Sequence, residues 1–197
     1  GHHWYSEWLF YKGKEEEGLK EIALAVELDP VSQAIIRDQG MAFYYIRQYD
    51  KAIENANTAL ALDPNFISVS RLLSLAYQGK GMYDEAIEHN QRWGELTRNE
   101  VKTKLALAQI LAAASRHDEA RKLLDVIHAT HALFENDYRS MGLIYAALGD
   151  KDLAFEWLGK SCDKRESGLC SLKLDPKLDG LRDDPRFQKL IDCVGLS

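Results

Sequence analysis

Apolar residues recur at spacings of three and four along almost the whole chain, and Ala, Leu, Glu, Lys and Arg fill the positions between them. That spacing lays one apolar stripe along an α-helix, and no segment alternates as a strand would. Gly or Asp interrupts the stripes at short intervals, which predicts helices joined by tight turns. The pattern predicts ten helices in five antiparallel pairs, near residues 2 to 11, 15 to 28, 34 to 45, 49 to 62, 67 to 79, 83 to 96, 101 to 114, 117 to 129, 136 to 147 and 151 to 164.

The pairs are copies of one another. A small residue recurs at Gly18, Ala52, Ala86, Ala120 and Ala154, each 34 residues after the last. A second small series, Ser6, Gly40, Ser74, Ala108 and Gly142, runs in the first helix of each pair. Small side chains at both positions let the two helices of a pair approach closely. A replacement such as Ala86→Arg is expected to overpack the pair and bury a charge, at about 3 kcal/mol or more. Ala25 and Ala59 add a third small position, and the Asp-Pro steps at 29/30 and 63/64 end their helices because the residue before proline disfavours the α region.

With this period, these small positions and the closing prolines, the chain resembles the tetratricopeptide repeat family. The likeness is strong in the first three copies and looser afterwards, where Trp93, Ile127 and Ser161 replace the third small residue and Arg98 stands in place of the next proline. The resemblance implies an all-α, right-handed α-α superhelix of five repeats over residues 1–168. Residues 169–197 form an irregular connection and a capping helix. Asp184 and Pro185 open that last helix, and Phe187, Leu190, Ile191 and Val194 share the face expected to cover the fifth pair. The segment His128 to Phe134 departs most from the family pattern, so the bend there is expected to be unusual.

The tail carries a narrower likeness. Leu181 to Phe187, Leu-Arg-Asp-Asp-Pro-Arg-Phe, resembles the ending of tetratricopeptide arrays attached to bacterial winged-helix regulators, serine/threonine kinases and nucleotide cyclases. Together with the start at Gly1-His2-His3 it leads to the expectation of a C-terminal module cut from a larger signalling or regulatory protein.

Composition narrows the function. With 46% hydrophobic and 28% charged residues, the chain reads as a soluble globular protein. A net charge of −6 argues against a nucleic-acid binder, which needs a clustered positive surface. No apolar run is long enough to span a membrane, and no signal-peptide layout opens the chain. Cys162, Cys170 and Cys193 fit no metal-ligand spacing and are read as reduced thiols of a cytoplasmic protein. No phosphate loop, metalloprotease helix or nucleophile elbow is present, so no enzyme, cofactor or metal is expected. His128 with His131, and His2 with His3, lack further ligands. The Glu15-Glu16-Glu17 run falls where negative charge suits a helix start, and Tyr49, Tyr77, Tyr83 and Tyr145 fall at packing positions.

What remains is the face built by the first helix of each pair, which in this family forms the inside of the superhelix. The resemblance places there His3, Trp4, Glu7, Phe10 and Tyr11, then Arg37, Asp38, Met41, Tyr44 and Tyr45. Arg71, Leu72, Leu75 and Gln78 follow, then Lys102, Leu105 and Gln109, then Asn136, Arg139, Ser140 and Leu143. Three arginines and one lysine among them make this face more basic than the rest. It suits a peptide or protein segment with acidic and apolar residues, because Arg offers paired hydrogen bonds to carboxylates and aromatic rings bury area at low entropy cost. Arg37, Arg71 and Arg139 are expected as carboxylate partners and Tyr44 as an aromatic anchor. Trp4, Met41, Tyr45, Leu75, Lys102 and Gln109 complete the expected groove. The clamp by which some family members hold the C-terminal carboxylate of heat-shock chaperones is matched at Arg37 and Lys102 but not at Met41, Leu72 or Ala106. The expected role is therefore a non-catalytic interaction scaffold, a monomer or weak dimer. The alternative is a ligand- or effector-sensing domain of a regulator or kinase, and a third reading is self-association through Trp4, Trp8, Leu9 and Phe10 left open at the first helix.

Overall fold

The computed structural model describes residues 1–130, 137–166 and 168–195. Its helices follow the predicted pattern closely: α1 His2–Tyr11, α2 Glu15–Leu28, α3 Gln33–Tyr45, α4 Tyr49–Leu62, α5 Ile67–Gly79, α6 Tyr83–Thr97, α7 Glu100–Ala113, α8 His117–Thr130, α9 Tyr138–Ala147, α10 Lys151–Asp163 and α11 Pro185–Cys193. Two short 3-10 turns, Leu169–Ser171 and Pro176–Leu181, lie before α11. The fold is all-α, with no strand among the described residues. Most of the unusual linker, from His131 to Phe134, lies outside the described residues, as does Asn136.

The chain forms two compact units, Gly1–Asn99 and Glu100–Ser197. In the first, α1 packs on α2, α3 on α4 and α5 on α6, while α2 meets α3 and α4 meets α5. In the second, α7 packs on α8 and α9 on α10, with α7 against α9 and α11 against α10.

The two small series work as close-packing positions. Ala52, Ala86, Ala120 and Ala154 are fully buried. A methyl group added at Gly40 would lie 2.6 Å from a Leu72 methyl and 3.3 Å from the Ala52 carbonyl. One at Gly142 would lie 2.6 Å from Leu158 and 3.3 Å from the Ala154 carbonyl. Where the first series supplies serine, the hydroxyl fills the gap and donates to the facing carbonyl, Ser6 to Gly18 at 2.8 Å and Ser74 to Ala86 at 2.9 Å.

A further register of the repeat appears only in the backbone. The turn within each pair carries one left-handed residue, at Gly13, Arg47, Gly81, Ser115 and Gly149, again 34 apart. Glycine adopts this conformation freely, whereas Arg47 and Ser115 hold it at a steric cost.

The tail is more than a cover. Leu169, Leu172, Leu178 and Leu181 of the 3-10 segment join Phe187, Leu190 and Ile191 of α11 in one core with Leu143, Phe155 and Leu158, and Val194 packs beside them. As expected, Asp184 caps α11, accepting from the Arg186 amide at 2.9 Å, with Pro185 at the first helical position. Arg186 then reaches back to Asp152 at 2.7 Å and lies 4.3 Å over the Phe155 ring. The reading of three reduced thiols is corrected: Cys162 of α10 and Cys193 of α11 are joined in a disulfide with 6.5 Å between their Cα atoms, and Cys170 is free and exposed. Thirty-one residues separate the pair in sequence, so spacing gave no hint of it; the docking of α11 on α10 brings the two together.

Candidate functional site

In the first unit the candidate face is built by α1, α3 and α5. On α1 the exposed side is aromatic: Trp4 is 70% exposed and Trp8 49%, and the Trp4 ring stacks on His3 at 4.9 Å. Leu9 and Phe10, expected to be partly open, are instead buried because they point into the α1–α2 pair.

Between α1 and α3 lies a pocket of about 110 Å³, with His3, Glu7 and Tyr11 on one side and Arg37, Asp38, Met41 and Tyr45 on the other. Asp38 is paired on both sides. Arg37 approaches one carboxylate oxygen of Asp38 at 2.6 Å, and His3 hydrogen-bonds to the other. Burial raises the Asp38 pKa from its ordinary 3.8, and the pull of Arg37 and His3 in the other direction only partly offsets it. The Arg37 Nε is buried without a partner. Glu7, by contrast, is exposed and accepts a hydrogen bond from the Tyr11 hydroxyl at 2.6 Å.

Several expected groove residues are elsewhere. Tyr44, expected as an exposed anchor, is 2% exposed and packs in the core between α3, α4 and α5. Leu75 is buried in the same core, and Leu72 is fully buried. Met41 and Tyr45 are half-buried beside the pocket. Arg71 lies 5.4 Å over the Trp93 ring of α6.

In the second unit Gln109, Leu105 and Leu143 are buried. Lys102 on α7 lowers the pKa of Asp137, which burial raises by more. Arg139 falls in the same register as Arg37 and Arg71, and here the chain's own tail engages it. Its Nη2 donates to Asp175 at 2.5 Å, and the Asp175 side chain is only 3% exposed. Just upstream, Glu166 accepts from the Tyr138 and Arg139 amides at 2.9 and 2.8 Å and from the Ser161 hydroxyl at 2.5 Å. A carboxylate just after α10 thus satisfies the open amides at the start of α9. Neither contact was legible in the sequence, although the Leu-Asp-Pro at 174 to 176 repeats the letters that close α2 and α4.

Among the described residues no group of three or more His, Cys, Asp or Glu side chains is arranged to hold a metal. No described helix is long and apolar enough to cross a membrane.

With this geometry in view, comparison with known proteins agrees with the repeat. The tetratricopeptide repeat family model matches residues 37–100. No curated protein matches the chain. Among solved structures it is similar to TTC0263, a thermophilic TPR protein of Thermus thermophilus, with 17% identity, 90% of this chain and 97% of that one covered, and a TM-score of 0.64. A tetratricopeptide repeat protein from Parabacteroides merdae gives 14% identity, coverage of 89% and 69%, and a TM-score of 0.68. YrrB, described as a TPR protein with an unusual peptide-binding site, gives 19% identity, coverage of 87% and 89%, and a TM-score of 0.52. Residues 37–100 match the tetratricopeptide repeat model, and the chain as a whole shares the fold of these solved structures.

Proposed function

We propose that the chain is a non-catalytic protein-interaction module that binds a peptide or protein segment on the face built by the first helix of each pair. The supporting observation is the pocket between α1 and α3, which half-buried Met41 and Tyr45 line together with His3, the ring on which exposed Trp4 stacks. A side-chain-sized recess beside exposed aromatic surface is the form that an anchoring site for a partner takes. The peptide-binding site named for YrrB, a protein of the same fold, is in keeping with this reading.

The arginines of this face are engaged within the chain: Arg37 pairs with Asp38, Arg71 lies over the Trp93 ring, and Arg139 pairs with Asp175. The tail resemblance supports a place at the end of a larger signalling protein. The Cys162–Cys193 disulfide favours an oxidising compartment over a cytoplasmic one.

The test is a comparative capture from source lysate using the chain and its Arg71→Glu and Trp4→Ala variants, each checked by circular dichroism. A protein held by the chain and lost with both folded variants supports the reading. A protein held equally by all three places binding on another surface and overturns it.

A further inference from the structure

Arg37, expected as a carboxylate partner, lines the pocket between α1 and α3. The charged groups around it favour a different occupant. The Arg37 guanidinium pairs with Asp38 at 2.6 Å, and its Nε is buried without a hydrogen-bond partner. Both oxygens of Asp38 are taken, one by Arg37 and one by His3. The charged group left at the exposed rim is Glu7, held in place by the Tyr11 hydroxyl at 2.6 Å.

With His3 counted as neutral, the charged side chains around the pocket sum to a single negative charge. An incoming carboxylate would meet Glu7 and Asp38 with the one nearby cation already paired. A cation would meet the opposite. Tyr11 and Tyr45 add ring faces of the kind that attract an ammonium group, and Met41, Ala42 and Ile22 add an apolar lining for a hydrocarbon stem.

We infer that this pocket is a subsite for a lysine side chain of the bound segment, with the four-carbon stem along the apolar lining and the ammonium at Glu7. A compact ammonium on a flexible stem fits a recess of about 110 Å³ better than the planar fork of arginine. The inference rests on the proposed role of this face in partner binding and gives one of its positions a chemistry.

The probe is a blocked pentapeptide, acetyl-Ala-Ala-Lys-Ala-Ala-amide, titrated into the whole protein to 20 mM while amide shifts are followed by NMR. Matched peptides carry Gln, Glu or Arg in place of Lys, and 1,4-diaminobutane is run as a diffusible amine. The expected result is saturable shifts confined to α1 and α3, strongest for Lys. Glu7→Gln should weaken the Lys peptide about three-fold or more, whereas Tyr11→Phe, which keeps the ring, should weaken it less. Glu7 is exposed, so its replacement leaves the fold intact. Tighter binding of the Glu or Arg peptide, no saturable shift with any peptide, or no effect of Glu7→Gln would overturn the inference. Tighter binding of 1,4-diaminobutane than of the Lys peptide would also overturn it, by assigning the pocket to a free amine. Failure here with a lysate partner still lost in Trp4→Ala would remove the lysine subsite and leave the interaction module standing.

Discussion

The Ser74 hydroxyl donates to the Ala86 carbonyl at 2.9 Å across the α5–α6 pair, and both residues are buried. The same bond joins Ser6 to Gly18 two repeats earlier, while glycine stands at the matching position in the second and fifth pairs. Ser74→Ala keeps the volume nearly constant and removes one buried hydrogen bond, so it is expected to cost about 1 kcal/mol in urea unfolding. An unchanged midpoint would show that the bond adds nothing to the packing.

Ser115 holds the left-handed turn conformation, φ 60°, that glycine supplies at Gly13, Gly81 and Gly149. Ser115→Gly should relieve strain of about 1 kcal/mol, partly offset by the greater freedom of glycine in the unfolded chain. The net expectation is a rise in melting temperature of the second unit. Ser115→Val, branched at Cβ, should lower it.

Arg139 and Asp175 tie the tail to α9 in surroundings where the carboxylate is almost fully enclosed. Removing Arg139 takes away the closer of two cationic partners and leaves Asp175 with Lys177, whose Nζ is 3.7 Å away, at an expected cost of about 2 kcal/mol. Arg139→Met should therefore destabilise the second unit and expose the segment around Leu172 and Leu178 to protease. Loss of stability without new cleavage in the tail would place the damage elsewhere.

The Cys162–Cys193 disulfide closes a loop of 31 residues. By chain entropy, such a closure is worth about 3.5 kcal/mol. Reduction, or Cys193→Ser, should lower the denaturation midpoint of the second unit and leave the first unchanged. Equal midpoints with and without reductant would contradict this.

Two aspartates should titrate on opposite sides of their ordinary 3.8. Hydrogen bonds from Arg186 lower Asp184 to about 2, so its contribution is full above 3.8 and is lost as pH falls from there towards about 2. Burial raises Asp38, so the folded state binds a proton there before the unfolded chain does, and stability falls as pH rises from 3.8 through the raised value. Carboxyl carbon shifts followed by NMR from pH 2 to 7 separate the two. A shared midpoint would contradict both assignments.

The helices, their pairing and the repeat were legible from the letters alone, because periodicity and small-residue spacing are local and recur five times. The start of α11 was legible for the same reason: Asp184, Pro185 and an apolar face lie within a few residues of each other. Tertiary structure decided whatever depends on residues far apart in sequence. Tyr44 is a core residue because α4 and α5 close over it, and the family register alone could not reveal its burial. Arg37 and Arg139 share a register but meet different carboxylates, Asp38 beside the first and Asp175 of the tail against the second. The disulfide likewise required α11 to dock on α10. Sequence settled which residues share a stripe along each helix, since the helical period fixes that. Whether a charged group on that side is available to a partner depends on what else the fold brings within about 4 Å of it.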